Sequence, residues 1–353
     1  MPKNLVALLL VFTLGLILGC APPSTPQDDV TDVEMQPNIL LVMTDDMGYT
    51  DLGSFGSEIR TPNLDALAMA GLRFTNFHAG PACESTRAML MTGTYNRIAG
   101  VVDNSRAPGH LNDRIVTLSE LLQDAGYHTY MAGKWHIGDT EEQSPAGHGF
   151  ESSFALMMGS AGHFDILGPG EGLPVARYAQ DGRPVTLPKD FYSTEFYADR
   201  ILENLQEHEG DGRPFFAWYT PTVPHWPLQV PDEYLDLYAG MYDAGYDDLL
   251  MKRFQRAREL GVVPETATLA NYPRTGESWS GFDEHRRRLE SRRMEIYAAM
   301  LENFDFHVGR ILNYLRETDQ FENTYVFFIS DNGGDAARRD QIPWVRNYMD
   351  NSL

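Results

Sequence analysis

The chain has 353 residues and a formal net charge of -22, with 42% hydrophobic and 22% charged residues. That length supplies the core of one large α/β domain or two smaller ones. The charge excludes a nucleic-acid role: no basic stripe or aromatic and basic repeat appears, and an acidic surface repels phosphate backbones and anionic headgroups alike.

Lys3 precedes an apolar run over residues 5–19 that ends at Cys20, with the charge and length of a secretory signal and too little length to span a bilayer comfortably. The stretch Leu16-Ile17-Leu18-Gly19-Cys20 resembles the bacterial lipobox. That resemblance implies an exported lipoprotein, held in the periplasm or at the outer membrane by a lipid anchor on Cys20; an ordinary cleaved signal is the alternative. Residues 21–36, rich in Pro, Ser, Thr and Asp, suit a flexible tether. The chain has 2 cysteines. With lipid on Cys20, Cys83 becomes a thiol in a disulfide-permissive compartment, which asks for a chemical role. A Cys20 to Cys83 bridge is the weaker alternative.

Four short apolar runs end in chemistry. Ile39-Leu40-Leu41-Val42-Met43 leads to Asp45-Asp46, and residues 128–132 lead to Gly133-Lys134-Trp135-His136. Residues 215–219 lead to Pro224-His225, and residues 325–329 lead to Ser330-Asp331-Asn332-Gly333. Helical patterns lie between them at 64–70, 117–125, 194–205 and 294–316. This alternation predicts a doubly wound, mostly parallel sheet flanked by helices, whose carboxyl ends would gather one site. The competing reading of each loop alone is that Asp, Asn, Gly and His punctuate turns. Residues 240–285 predict short helices and a surface insertion, and Arg286-Arg287-Arg288 with Arg292-Arg293 predict a solvated helix face against neighbouring acids.

Cys83-Glu84-Ser85-Thr86-Arg87 opens another helix-compatible run that ends at Gly93. A helix start and a guanidinium both favour an anion there, and both predict a depressed thiol pKa at Cys83. A buried structural cysteine is the alternative. Asp45, Asp46, Asp331 and Asn332 offer only oxygen ligands, which suits one hard cation, calcium or magnesium, better than zinc. Arg87, Lys134, His136 and His225 around that cation would form a pocket for a tetrahedral oxyanion ester, with a histidine supplying the leaving group's proton.

From Asn38 onward the chain resembles the type I sulfatases of the alkaline phosphatase superfamily. The likeness rests on Asp45-Asp46, Thr61-Pro62-Asn63-Leu64-Asp65, the segment from Cys83 to Gly93, Gly133-Lys134-Trp135-His136-Ile137-Gly138, Pro224-His225, residues 297–303 and Ser330-Asp331-Asn332-Gly333. It implies an alkaline phosphatase-like catalytic domain over 37–353 and an arylsulfatase-like sulfuric ester hydrolase. Cys83 would be oxidised by a formylglycine-generating maturation enzyme to an aldehyde. The aldehyde's hydrate attacks sulfur, and its second hydroxyl later expels sulfate. The resemblance further implies one Ca2+ bound by Asp45, Asp46, Asp331 and Asn332 with residue 83, Arg87 steadying the hydrate, Lys134 and His136 contacting sulfate and diol, and His225 assisting the leaving group.

The chain departs from the family at Ser85, where Pro or Ala is usual, and after Asp331, where a further lysine and a smaller C-terminal subdomain normally follow. These departures predict a C-terminally truncated chain with that subdomain largely absent. Two other functions fit the same residues: a phosphodiester or phosphonate monoester hydrolase, and a lipoprotein or inactive fragment that binds sulfate without turnover. The substrate is expected to be a sulfated small molecule or saccharide, its alcohol selected by loops such as 160–188 and 240–285.

Overall fold

A computed structural model describes residues 36–101, 109–166, 175–269 and 278–335. The expected leader, the anchor at Cys20, the tether up to residue 35 and the segment 336–353 lie outside the described residues. Among those described, β1 (Asn38–Thr44), β2 (His128–Lys134), β3 (Ser152–Leu156), β4 (Tyr178–Gln180), β5 (Arg183–Pro184), β6 (Phe215–Thr220) and β7 (Thr324–Ser330) form one sheet in the order β5-β4-β3-β2-β6-β1-β7. The strands from β3 to β7 in that order run parallel, while β4 and β5 add an antiparallel edge. The four predicted strands are present as β1, β2, β6 and β7, and they are neighbours in the sheet.

The edge hairpin was not among the predicted elements. Its strands are 3 and 2 residues long, too short for a period-2 pattern. The turn between them, Asp181-Gly182, takes φ of 49° and 80°, the left-handed pair of a tight hairpin turn.

The helices are α1 (Pro62–Ala70), α2 (Cys83–Thr92), α3 (Asn96–Ala99), α4 (Leu118–Asp124), α5 (Ser193–Glu207), α6 (Tyr246–Glu259) and α7 (Glu284–Glu317). Alternate strand residues face opposite ways, and each set finds its own helices. Leu40, Val42, Tyr130 and Ala217 pack with Leu64 of α1, Ile201 of α5 and Phe304 of α7. Leu41, Met43, Met131 and Trp218 pack with Ala88 and Met91 of α2 and Ala99 of α3. Both faces of the inner strands are therefore dry, which is why they read as continuous apolar runs.

Helix boundaries follow local chemistry. In α4, Thr117 accepts from Glu120 N at 3.3 Å and Glu120 accepts from Thr117 N at 2.7 Å, a reciprocal cap. α7 begins ten residues before the apolar period does, where Asp283 caps Arg286 N at 2.7 Å. Its arginine run pairs with acids along the helix, Arg288 with Glu284 at 2.5 Å and Arg292 with Glu295 at 3.0 Å, but Arg286, Arg292 and Arg293 are half-buried, so the face is only in part the solvated one expected. The 240–285 region differs from the expectation of short helices alone. It contains the 14-residue α6, whose buried Arg253 reaches inward to Asp51 and Glu58.

Sheet ends are tied across the chain. Asn38 at the start of β1 accepts from Phe215 N at 3.0 Å and donates to Thr324 Oγ1 at 3.5 Å, aligning β6 and β7 with β1. The register then brings Thr44 level with Ser330, and Gly133 level with Thr220. On β7, the last strand in the described order, Tyr325 and Phe327 are more than half exposed while Val326 and Phe328 pack on the core.

Two residues of α7 make the packing testable. Asp305 accepts from Asn63 N at 3.1 Å and Leu64 N at 2.8 Å, so α7 supplies the cap that α1 lacks locally. Asp305→Ala is expected to lower unfolding free energy by about 2 kcal/mol in urea melts, leaving one buried and one part-buried N–H group without partners. Burial and the adjacent Arg310 hold His307 down to about 4, and Arg310 donates to its Nδ1 at 3.0 Å. The unfolded chain protonates this ring near pH 6.5, so stability falls as pH drops from 6.5 to 4, on the order of 2–3 kcal/mol from this group. Melts at stepped pH should be flatter over that window in His307→Gln; an unchanged slope would count against a neutral buried ring.

Candidate active site

The carboxyl ends of β1, β2, β6 and β7 meet α2 at one point. Asp331 N donates to Thr44 O at 3.1 Å, and Asp45 N donates to Val223 O at 3.0 Å, so the three loops interlock through backbone. Asp46 turns the chain with φ of 65°, an uncommon conformation outside glycine. Its N–H donates to Asp331 Oδ1 at 3.3 Å, and Asn332 Nδ2 donates to its Oδ1. Ser330 Oγ accepts from Met47 N at 3.1 Å and donates to Asn332 O at 2.6 Å, closing the turn after β7.

Cys83 is the first residue of α2, after Ala82 in extended conformation. One helical turn on, Arg87 lies on the same face. Its Nε and Nη2 donate to Asp331 Oδ2 at 3.0 and 2.7 Å, and its Nη1 donates to Lys134 O at 2.6 Å and Thr220 Oγ1 at 2.7 Å. Lys134 Nζ donates to both oxygens of Asp45, at 2.9 and 2.7 Å. All four charged groups in these two pairs have no solvent exposure. His136, with φ of 63°, places Nδ1 3.4 Å from Cys83 Sγ. A Cβ at Gly159 would stand 2.8 Å from that ring, so the glycine makes room for it. His225 Nδ1 donates to Trp226 O at 2.5 Å, which turns Nε2 toward Asp46 Oδ2 at 3.6 Å.

All nine residues singled out in the sequence therefore converge: Asp45, Asp46, Cys83, Arg87, Lys134, His136, His225, Asp331 and Asn332. Two partners were not foreseen. Thr220, at the very end of β6, carries the sequence signal of a strand terminus, whereas Gly159 carries none.

Electrostatics account for the arrangement. Burial and the neighbouring Asp331 push Asp45 up to about 7, against Lys134, His225 and Arg87. Burial alone would raise Asp331 too, but Arg87 and Lys134 hold it below the usual carboxylate range. Burial, reinforced by Lys134 and Arg87, holds His136 well below the usual range, so its ring is neutral. The expectation of a depressed thiol pKa is corrected: burial pushes Cys83 up, and Asp45 and Asp331 oppose the help of Lys134 and Arg87. A helix start and a guanidinium fail to activate this sulfur because the cost of burying a thiolate outweighs them, with Asp45 and Asp331 adding to that cost.

The donor set fits a hard cation. Asp45, Asp46 and His225 bring ligand atoms within 4.8 Å of one another, and so do Asp45, Cys83 and Asp331. Three carboxylates against Lys134 and Arg87 leave negative charge in a buried place, which a divalent ion among oxygen donors would balance.

A sequence model of the Sulfatase family matches residues 37–344. An uncharacterized sulfatase of Schizosaccharomyces pombe (strain 972) is 39% identical over 345 residues, covering 90% of this chain and 62% of that protein. The arylsulfatase of Klebsiella aerogenes is 36% identical over 332 residues, covering 90% of this chain and 71% of its own length. The crystal structure of Ps i-CgsB is 25% identical, with a TM-score of 0.64 over 85% of this chain and 59% of that one. The chain thus spans less than two thirds of the first of these relatives. With the acid cluster, the α2 start and the strand-end histidines in one place, and with a family match over most of its length, the chain belongs to the sulfatase family.

Proposed function

We propose that the chain hydrolyses sulfate esters to an alcohol and inorganic sulfate, as an exported lipoprotein anchored through Cys20. The observation that carries the proposal is the convergence of Cys83, the Lys134 and His136 pair after β2, and His225 beside the buried carboxylates of Asp45, Asp46 and Asp331. One calcium ion held by Asp45, Asp46, Asp331 and Asn332 with residue 83 would neutralise charge on the nonbridging sulfate oxygens. Formylglycine, made from Cys83 by the maturation enzyme, would supply a hydroxyl nucleophile that the thiol does not.

The remaining work falls to side chains already in place. Lys134 supplies a fixed positive charge; Asp45 sets its direction. His136, neutral and aimed at residue 83, accepts a proton there through Nδ1. With the Nδ1 hydrogen given to Trp226 O, His225 can donate from Nε2 to the departing oxygen only as the imidazolium, which carries a hydrogen on both nitrogens. Arg87 is engaged by Asp331, Lys134 O and Thr220, so its part is to hold the start of α2 against the carboxylates.

Parallel assays test the proposal. In protein whose Cys83 conversion is verified by peptide mass spectrometry, 4-nitrophenyl sulfate should be cleaved in preference to a phenylphosphonate monoester. Cys83→Ala should lose at least about 1,000-fold in kcat, and chelation of calcium should abolish activity reversibly. Preference for the phosphorus ester would sink the sulfatase assignment. Unconverted Cys83 offers a separate check. Its raised pKa and burial predict alkylation by iodoacetamide at pH 7.5 about tenfold or more slower than free cysteine; labelling at the free-cysteine rate would contradict the thiol state described above.

A further inference from the structure

His163 lies in the segment after β3, is 1% exposed, and takes no part in the chemistry above. Each of its polar atoms is committed. Its Nδ1 lies 2.8 Å from Ser193 Oγ, its Nε2 lies 3.2 Å from the backbone oxygen of His225, and its own N–H donates to Gln229 Oε1 at 2.7 Å. A carbonyl oxygen only accepts, so Nε2 carries the hydrogen and Nδ1 accepts from the Ser193 hydroxyl. Burial holds the ring down to about 4, so a single neutral tautomer persists at neutral pH. His163 thus grips the His225 segment at two points, 225 and 229. Ser193, at the start of α5, in turn orients its ring.

We infer that His163 is a positioning residue for leaving-group departure, acting through the His225 carbonyl to hold the His225 ring where Nε2 reaches the ester oxygen. The inference rests on the proposed sulfate ester hydrolysis and on the donor role of His225. Holding the carbonyl of residue 225 fixes the backbone from which the ring projects, while the Nδ1 bond to Trp226 O fixes its rotation. A displaced acid matters most where the departing alkoxide is basic and needs its proton early, and least where the leaving group departs unaided.

The test compares two substitutions on converted protein, with phenyl sulfate and 4-nitrophenyl sulfate as substrates. A Gln amide N–H reaches the place of Nε2, whereas an Asn amide reaches only the place of Nδ1. His163→Asn should lower kcat for phenyl sulfate by about 10- to 100-fold, and for 4-nitrophenyl sulfate by less than about 3-fold, with KM little changed. His163→Gln should stay within about 3-fold of wild type on both. Ser193→Ala, which leaves the imidazole in place, should show the Asn pattern in weaker form and serves where His163→Asn does not fold. His225→Asn, measured alongside, should show the steepest dependence on leaving group. Equal losses on both substrates, or Asn and Gln behaving alike, would overturn the inference while a steep His225→Asn response kept the donor role intact. A wild type that cleaves neither ester, or a His225→Asn response that is flat, would overturn the hydrolase or donor role and this inference with it.

Discussion

Two ion pairs with no exposure to water, Arg87 with Asp331 and Lys134 with Asp45, hold the site together. They join α2 to the turn after β7, and the end of β2 to the end of β1. Removing one partner would strand a buried charge, which costs several kcal/mol, so the pairs act as a unit and not as separate contacts. The backbone bonds among residues 44, 45, 223 and 331 set the same spacing independently. Asp45 and Asp331 are thus each held by main chain on one side and by charge on the other.

The arrangement also explains why conformational strain collects here. Asp46 and His136 both adopt left-handed backbone, and each is fixed by neighbours that over-determine it: Asp331 and Asn332 around Asp46, Cys83 and the gap at Gly159 around His136. Farther out, Asp51 accepts from Gly48 N at 2.7 Å and Tyr297 Oη at 2.5 Å and pairs with Arg253 of α6. That network ties the loop after Asp46 to α6 and α7. The motif residues beyond the reacting centre therefore support the loop geometry.

Much of the fold was legible because burial on both faces leaves a plain mark on β1, β2 and β6, and β7, although Tyr325 and Phe327 are exposed, is likewise an apolar run that stops at polar chemistry. The convergence of Asp45, Lys134, His225 and Asp331 followed from those strands being parallel. What was not legible depends on three-dimensional neighbours. β4 and β5 are too short for periodicity to show, although their Asp181-Gly182 turn was present in the sequence. α6 was hidden because Arg253, a charged residue, faces inward to acids far away in sequence. The thiol of Cys83 was misjudged in direction because its burial, and the nearness of Asp45 and Asp331, depend on the tertiary fold, and His163 gave no local sign of its reach to residue 225.

β7 gives the site an uneven foundation. Among the described strands its ladder runs to β1 alone, and this strand delivers Asp331 and Asn332. At its far end the ladder is closed by the Asn38 side chain on Thr324. Fraying from the near end would withdraw two oxygen donors and strip Arg87 of its counter-ion in a single event. Cation affinity and the local opening free energy of β7 are therefore linked quantities, each able to raise the other, and an ion seated among these carboxylates would act as a rivet for this end of β7 as much as a participant in the reaction.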